Sequence, residues 1–182
     1  MTPSLVLEVQ GLQSYYYVRE GVRKALDGVS LELHEKETLG IVGRSGAGKS
    51  VLAHSIMRLV RDPGRIVGGE INFRGQDLLR MAEHELHALR GKDIALIVSS
   101  PRSRLNPLIS VGNQLANVVK VKESLSKKAA YNRAVDMLAA VAMADPARVA
   151  GMLPHELSGG MGQRVIIAMA LAHSPRLLLA DE

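Results

Sequence analysis

Gly43-Arg44-Ser45-Gly46-Ala47-Gly48-Lys49-Ser50 is the stretch on which the reading of the fold turns. It fits the phosphate-loop pattern of Gly, four residues, then Gly-Lys-Ser. Ahead of it, the apolar run Thr38-Leu39-Gly40-Ile41-Val42 predicts a buried parallel strand, and Val51 to Leu59 predicts a helix behind it. A chance glycine-rich turn would have neither flank. Gly43, Gly46 and Gly48 permit backbone conformations that a side chain forbids, so successive N–H groups can converge on one anion. The positive end of the helix dipole lies at the same place. Lys49 can then reach the outer phosphates, and the Ser50 hydroxyl can ligate Mg²⁺. With Arg44, Ser45, Ala47 and Val51, these residues make a seat for a nucleoside triphosphate.

Composition sets the outer limits. At 182 residues and 47% hydrophobic content, the chain is long enough for one domain with a real core and room for a subdomain. Aromatics make up only 3%, so aliphatic side chains and Met must do the packing. The net charge of +5 is scattered rather than blocked, which reads as an ordinary solvated surface; no nucleic-acid partner is expected. Without cysteine there is no disulfide and no thiolate metal site. The start, Met1-Thr2-Pro3-Ser4-Leu5, lacks the regions of a signal peptide, and the longest clean apolar run, Val165 to Ala172, is far too short to cross a bilayer. The expectation is a soluble, cytoplasmic chain.

On the amino-terminal side of the loop, Leu5 to Val9 reads as a strand ended by Gly11, and Val29 to Leu33 alternates as a half-buried antiparallel strand should. Between them sit Tyr15, Tyr16 and Tyr17, three of the four tyrosines. A ring here could stack on a nucleotide base or simply pack in a strand, and spacing alone does not choose. On the other side, Gly68 to Phe73 reads as a strand. Asp77 reads as the cap of a helix with Leu79, Ala82, Leu86 and Leu89 on its apolar face. His84 and His87 stand three apart there, but with no third ligand in evidence they read as solvated. Asp93 to Val98 is the next buried strand, followed by a polar loop through Pro107.

From about 108 to 155 the pattern is helical, with Ala130, Ala134, Met137, Leu138 and Val141 as an amphipathic stripe ended by Pro146. Leu157-Ser158-Gly159-Gly160 follows, then a helix from Met161 to Ala172 that is apolar nearly all round. Ser158 can cap that helix, and the glycines leave its amino end bare, a second possible anion seat. The chain closes on Leu177 to Ala180, a buried strand that delivers Asp181 and Glu182 at its carboxyl end, where open parallel sheets hold ligands. Beside a phosphate loop the two acids gain roles: Asp181 as magnesium anchor through water, Glu182 as the base that polarises an attacking water.

Leu157-Ser158-Gly159-Gly160-Met161-Gly162-Gln163-Arg164, with the loop and the closing acids in this order, resembles the ATP-binding subunit of ABC transporters. It is most similar to subunits of the oligopeptide, dipeptide and nickel importer group. Supporting stretches are Gly40 to Gly43, Ser55 to Leu59, Leu86 to Gly91, Ser103 to Pro107 and Pro154 to Met161. The resemblance covers essentially the whole chain. It implies an α/β fold: a P-loop NTPase three-layer core with an N-terminal antiparallel β subdomain and an inserted α-helical subdomain. It divides the chain into 1–98, the first part of the nucleotide-binding core; 99–157, the helical signature subdomain; and 158–182, the signature helix and Walker B strand, with the core incomplete after 182.

The resemblance also assigns roles. It makes Tyr16 the ring that stacks on adenine, Gly43 to Val51 the phosphate site, Lys49 and Glu182 the catalytic pair, and Ser50 with Asp181 the Mg²⁺ site. Ser158, Gly159 and Gly160 would touch the terminal phosphate of ATP on a second ATPase subunit, the same or a different chain. Transmembrane permease subunits are the other implied partner. The place of work is the cytoplasmic face of the inner membrane, reached peripherally, and the implied activity is ATP hydrolysis coupled to uptake of peptides, similar small solutes or nickel. The alternatives are a soluble, non-transport ABC ATPase and a truncated remnant that does not hydrolyse; a GTPase switch would want an Asn-Lys-x-Asp motif, which is absent.

Three departures from the family pattern stand out. Ser99 replaces the glutamine that reaches metal and attacking water, which predicts weaker coupling between ATP and closure. Gly162 replaces a usual arginine in the first turn of a helix, where glycine costs about 1 kcal/mol against alanine. The sequence stops at Glu182, before the family's following Asp and His, so this segment alone is expected to keep nucleotide binding and lose hydrolysis.

Overall fold

The computed structural model describes residues 4–98, 104–122 and 124–181. Ser99, with its predicted effect on coupling, and Glu182, the expected base, lie outside these residues. Packing groups the chain into two units. One runs to Arg90 and takes in Asp181; the other runs from Gly91 to Ala180.

The first unit is built on an antiparallel sheet in the order β2-β1-β3-β4. Its strands are β1 (Leu5–Val18), β2 (Gly21–His34), β3 (Gly64–Phe73) and β4 (Gln76–Asp77). Both opening strands are far longer than the sequence suggests, because Gly11, which reads as the end of the first, lies at a bulge inside it, and Gly28 lies at one inside the second. Gly11 adopts φ 54° where β1 slips register between Val9 and Leu12, and Gly28 adopts φ 84° where β2 slips between Val29 and Asp27. Gly69 is the tightest of these points. Its φ is 93°, and a Cβ there would come within 2.5 Å of the Leu12 Cα. The inner positions Leu7, Val9, Leu12, Leu26, Ile71 and Phe73 are buried.

Helix α1 (Lys49–Ile56) belongs to this unit and ends before the expected Leu59, since Arg58 turns to φ 48°. The run Thr38 to Val42 is not a strand. Leu39, Ile41 and Val42 are exposed, Val42 by 95%. A parallel strand exists only through lateral pairing, and no described residue pairs with this run, so its apolar pattern alone cannot make it one.

Asp77 does not cap a helix either. Its Oδ1 accepts from the Leu79 N–H two residues on, a local turn that delays α2 to Glu83–Leu89. There the Glu85 carboxylate accepts from the Ala82 N–H. Leu78 and Leu86 are the buried positions, while Ala82 is exposed. His84 and His87 are exposed as well.

The second unit pairs β5 (Ile94–Ile97) with β6 (Leu177–Ala180) in parallel, joined through α3 (Val111–Lys122), α4 (Lys127–Ala140), α5 (Pro146–Gly151) and α6 (Gly159–Leu171). Its core is one cluster in which Val111, Leu115, Val119, Ala130, Ala134, Leu138, Val149 and Val165 are fully buried. The stripe read from sequence on α4 is thus the packed face. Pro146 does not end α4; that helix closes at Ala140, and the proline opens α5, capped by the Asp145 carboxylate accepting from Arg148 N–H. Strand β6 is only half buried: Leu177 is inside, while Leu178 and Ala180 are exposed, as expected for a strand with one ladder partner among the described residues.

Candidate functional site

The loop ahead of α1 is shaped by a residue that only glycine can be. Gly48 caps the helix in the left-handed region at φ 96° and offers no side-chain oxygen to the first-turn amides. A Cβ on it would sit 2.5 Å from the carbonyl oxygen of Ala25. Ala25 is the extra residue of a bulge, since the β1–β2 register steps from Ser14↔Leu26 to Tyr15↔Lys24. The bulge turns its carbonyl onto the loop, and the loop answers with the one residue that leaves room.

The loop is open. Residues 43–47 and Ser50 are exposed, and Lys49 is half-buried. The Lys49 ammonium folds back on its own loop, donating to the carbonyls of Gly43 at 2.8 Å and Arg44 at 3.0 Å. The Ala47 N–H donates to Arg44 as well, closing the turn. One fixed cation therefore sits among uncapped amides, an arrangement made for a multiply charged anion. The Ser50 hydroxyl donates to Asp181 Oδ1 at 2.8 Å, across 131 positions of sequence. A hydroxyl and a carboxylate oxygen at this separation are hard donors and fit a divalent cation such as Mg²⁺, which keeps most of its waters and takes few protein ligands.

The three adjacent tyrosines are not equivalent. Alternation puts Tyr15 and Tyr17 on one face of β1 and Tyr16 on the other. Tyr15 is committed: its hydroxyl donates to Asp27 Oδ1 at 2.6 Å, and Lys24 donates to the other carboxylate oxygen. Those two bonds, Tyr15 first, hold the Asp27 carboxyl below its usual range, and the bond to Asp27 pushes the Tyr15 phenol up. Tyr16 instead lies across Gly64 of β3, where a Cβ would meet its ring at 2.7 Å and Val60 at 2.8 Å. The ring is half-buried, on the face that carries Ser14.

In the second unit Ser158 caps α6, its Oγ accepting from the Met161 N–H at 3.2 Å. Gly159 and Gly160 are exposed within the first turn rather than ahead of it. Gly162 is buried, a place where a long charged side chain would have to be accommodated. Arg164, which the signature includes but no role was read for, donates to the carbonyls of Val141 and Ala142 at the end of α4. Spacing gave no hint of that tie, because both carbonyls lie more than twenty residues away.

A family model described as ABC transporter matches residues 26–182. A probable peptide ABC transporter ATP-binding protein of Sinorhizobium fredii is 46% identical over 98% of this chain and 53% of its own length. The oligopeptide transport ATP-binding protein of Bacillus subtilis is also 46% identical, over 97% of this chain and 50% of its own length. The chain thus spans about half the length of the curated relatives it matches. Among solved structures, a dimeric ATP-binding cassette in a post-hydrolysis state bound to ADP and Pi superposes with a TM-score of 0.86 at 28% identity, covering 97% of this chain and 73% of that one.

Proposed function

The chain belongs to the ABC transporter family, and from that premise we propose that it is the ATP-binding, ATP-hydrolysing subunit of an importer of peptides or similar small solutes. One observation carries most of the reading. Ser50, at the head of the helix behind the phosphate loop, meets Asp181 from the far end of the chain. A loop turn has no need of such a partner, whereas a magnesium-bound triphosphate does.

The residues divide the work. Tyr16 offers a ring face to adenine. The amides of residues 43–51 orient the phosphates, and Lys49, released from Gly43 and Arg44, neutralises the outer ones. Ser50 and Asp181 would hold Mg²⁺, which supplies charge neutralisation across the phosphate oxygens. Glu182 follows Asp181 in sequence and is assigned the water-polarising role. Ser158, Gly159 and Gly160 serve the nucleotide of a second ATPase subunit, identical or not, and the helical segment 99–157 docks permease subunits. The place of work is peripheral, on the cytoplasmic face of the membrane; no helix among the described residues is long and apolar enough to cross a membrane.

Lys49→Ala in the intact protein tests this. Mg·ATP binding should weaken and hydrolysis should fall on the order of a hundredfold or more, as for loss of one preorganised charge contact to a transferring phosphoryl group. Undiminished nucleotide binding and turnover would end the reading.

A further inference from the structure

The described residues bury only two polar side chains completely, Ser14 and Ser55, and these two touch: their Oγ atoms are 2.9 Å apart. Ser55 Oγ also donates to the Val51 carbonyl one turn back at 2.7 Å. A hydroxyl carries a single proton. With the Ser55 proton spent on Val51, Ser14 must donate to Ser55, giving a directed chain from Ser14 through Ser55 to Val51. Each member polarises the next, and removing Ser55 alone leaves the Ser14 hydroxyl dry and unpaired.

Position gives the pair its meaning. Ser14 lies two residues before Tyr16 on β1, and the pairing with β3 is regular between them, with Ser14 opposite Ile66 and Tyr16 opposite Gly64. The two side chains therefore share a face of the sheet. Ser55 lies five residues after Ser50 on α1, the helix whose first residues belong to the phosphate loop. At its other end that helix is already seated against β2 by Gly48 on the Ala25 carbonyl. Two fixed points define a line, and the serine pair is the second.

We propose that the Ser14–Ser55 hydrogen bond is a positioning element that sets the spacing between the Tyr16 ring and the phosphate loop, so that one nucleotide fills both. This rests on Tyr16 being the adenine platform. Apolar packing alone fixes α1 against the sheet less sharply, because helix and sheet can slide by fractions of an ångström at little change in buried area. A directed hydrogen bond inside that contact does not allow the slide. Both serines act through other residues and touch no nucleotide themselves.

The test is a double-mutant cycle on the intact protein, read as the affinity for Mg·ATP relative to Mg·tripolyphosphate, which has the phosphates and no base. Tyr16→Ala should lower that ratio. Ser55→Ala should lower it about fivefold with Tyr16 present, the worth of one net hydrogen bond, and hardly at all once Tyr16 is gone. The double variant Ser14→Ala/Ser55→Ala removes both partners together and should stay folded while keeping the lowered ratio. Equal weakening of ATP and tripolyphosphate, or additive effects of Ser55→Ala and Tyr16→Ala, overturns the inference and leaves the platform standing. No effect of Tyr16→Ala overturns the platform, and the inference with it.

Discussion

Two helices in this molecule open on glycine-rich turns, and they treat their first amides in opposite ways. At α1 the cap is Gly48, which has nothing to offer the N–H groups behind it. At α6 the cap is Ser158, whose hydroxyl takes the Met161 N–H. The first helix keeps an unmet demand for an acceptor; the second meets part of it internally. A similar sequence texture thus leaves uncapped amides in one place and, in the other, a helix start capped by its own hydroxyl. The difference follows from a single side chain, and it can be broken from either end.

The largest effect should come from Gly48→Ala. It forces a Cβ into the left-handed region and against the Ala25 carbonyl, at a cost of about 2–3 kcal/mol. Denaturant unfolding should show that loss, and Mg·ATP titration should show the grip on phosphate failing with it. A retained wild-type midpoint would mean the loop does not depend on the bulge. Next is Ser158→Ala, which removes a cap of about 1 kcal/mol, with Ser158→Gly restoring most of it. If alanine and glycine there behave alike in thermal unfolding, the contrast between the two helix starts is not one of capping.

The smallest effect concerns the hairpin that carries the bulge. The carboxyl of Asp27 lies below its usual range, held there by Tyr15 and then Lys24. A depressed carboxylate contributes stability that is complete above its ordinary value and is lost as pH falls through the lowered one. Asp27→Asn should therefore flatten the acid limb of the stability curve slightly, and leave stability near neutral pH a little lower. An unchanged acid limb would show that this exposed cluster contributes nothing.

What the sequence made legible was local. The helix behind the glycine-rich loop, the Ser158 cap and the α4 stripe are each determined within a turn or two of chain, and each stands close to where its pattern placed it. What it hid depends on partners far away. Leu39, Ile41 and Val42 carry a buried strand's composition, yet strand identity is conferred by a neighbour, and no described residue pairs there. Gly11 looks like a strand end until the register around it is known. Asp77 had two acceptable uses for its carboxylate, and the nearer amide won. Ser14 and Ser55 left no trace, since an isolated serine in an apolar run has no periodicity to announce its partner.

The extra residue at Ala25 has a consequence for how this hairpin can vary over time. The tip between β1 and β2, at Arg19 and Glu20, is exposed and bears on nothing described here, so its length is free to drift. The three residues from Lys24 to Leu26 have no such latitude. Deleting one would remove the bulge, let the flanking pairs close into regular register, and withdraw the carbonyl that packs on Gly48. Homologous chains should therefore differ in the reach of this hairpin while keeping its irregularity at a constant place.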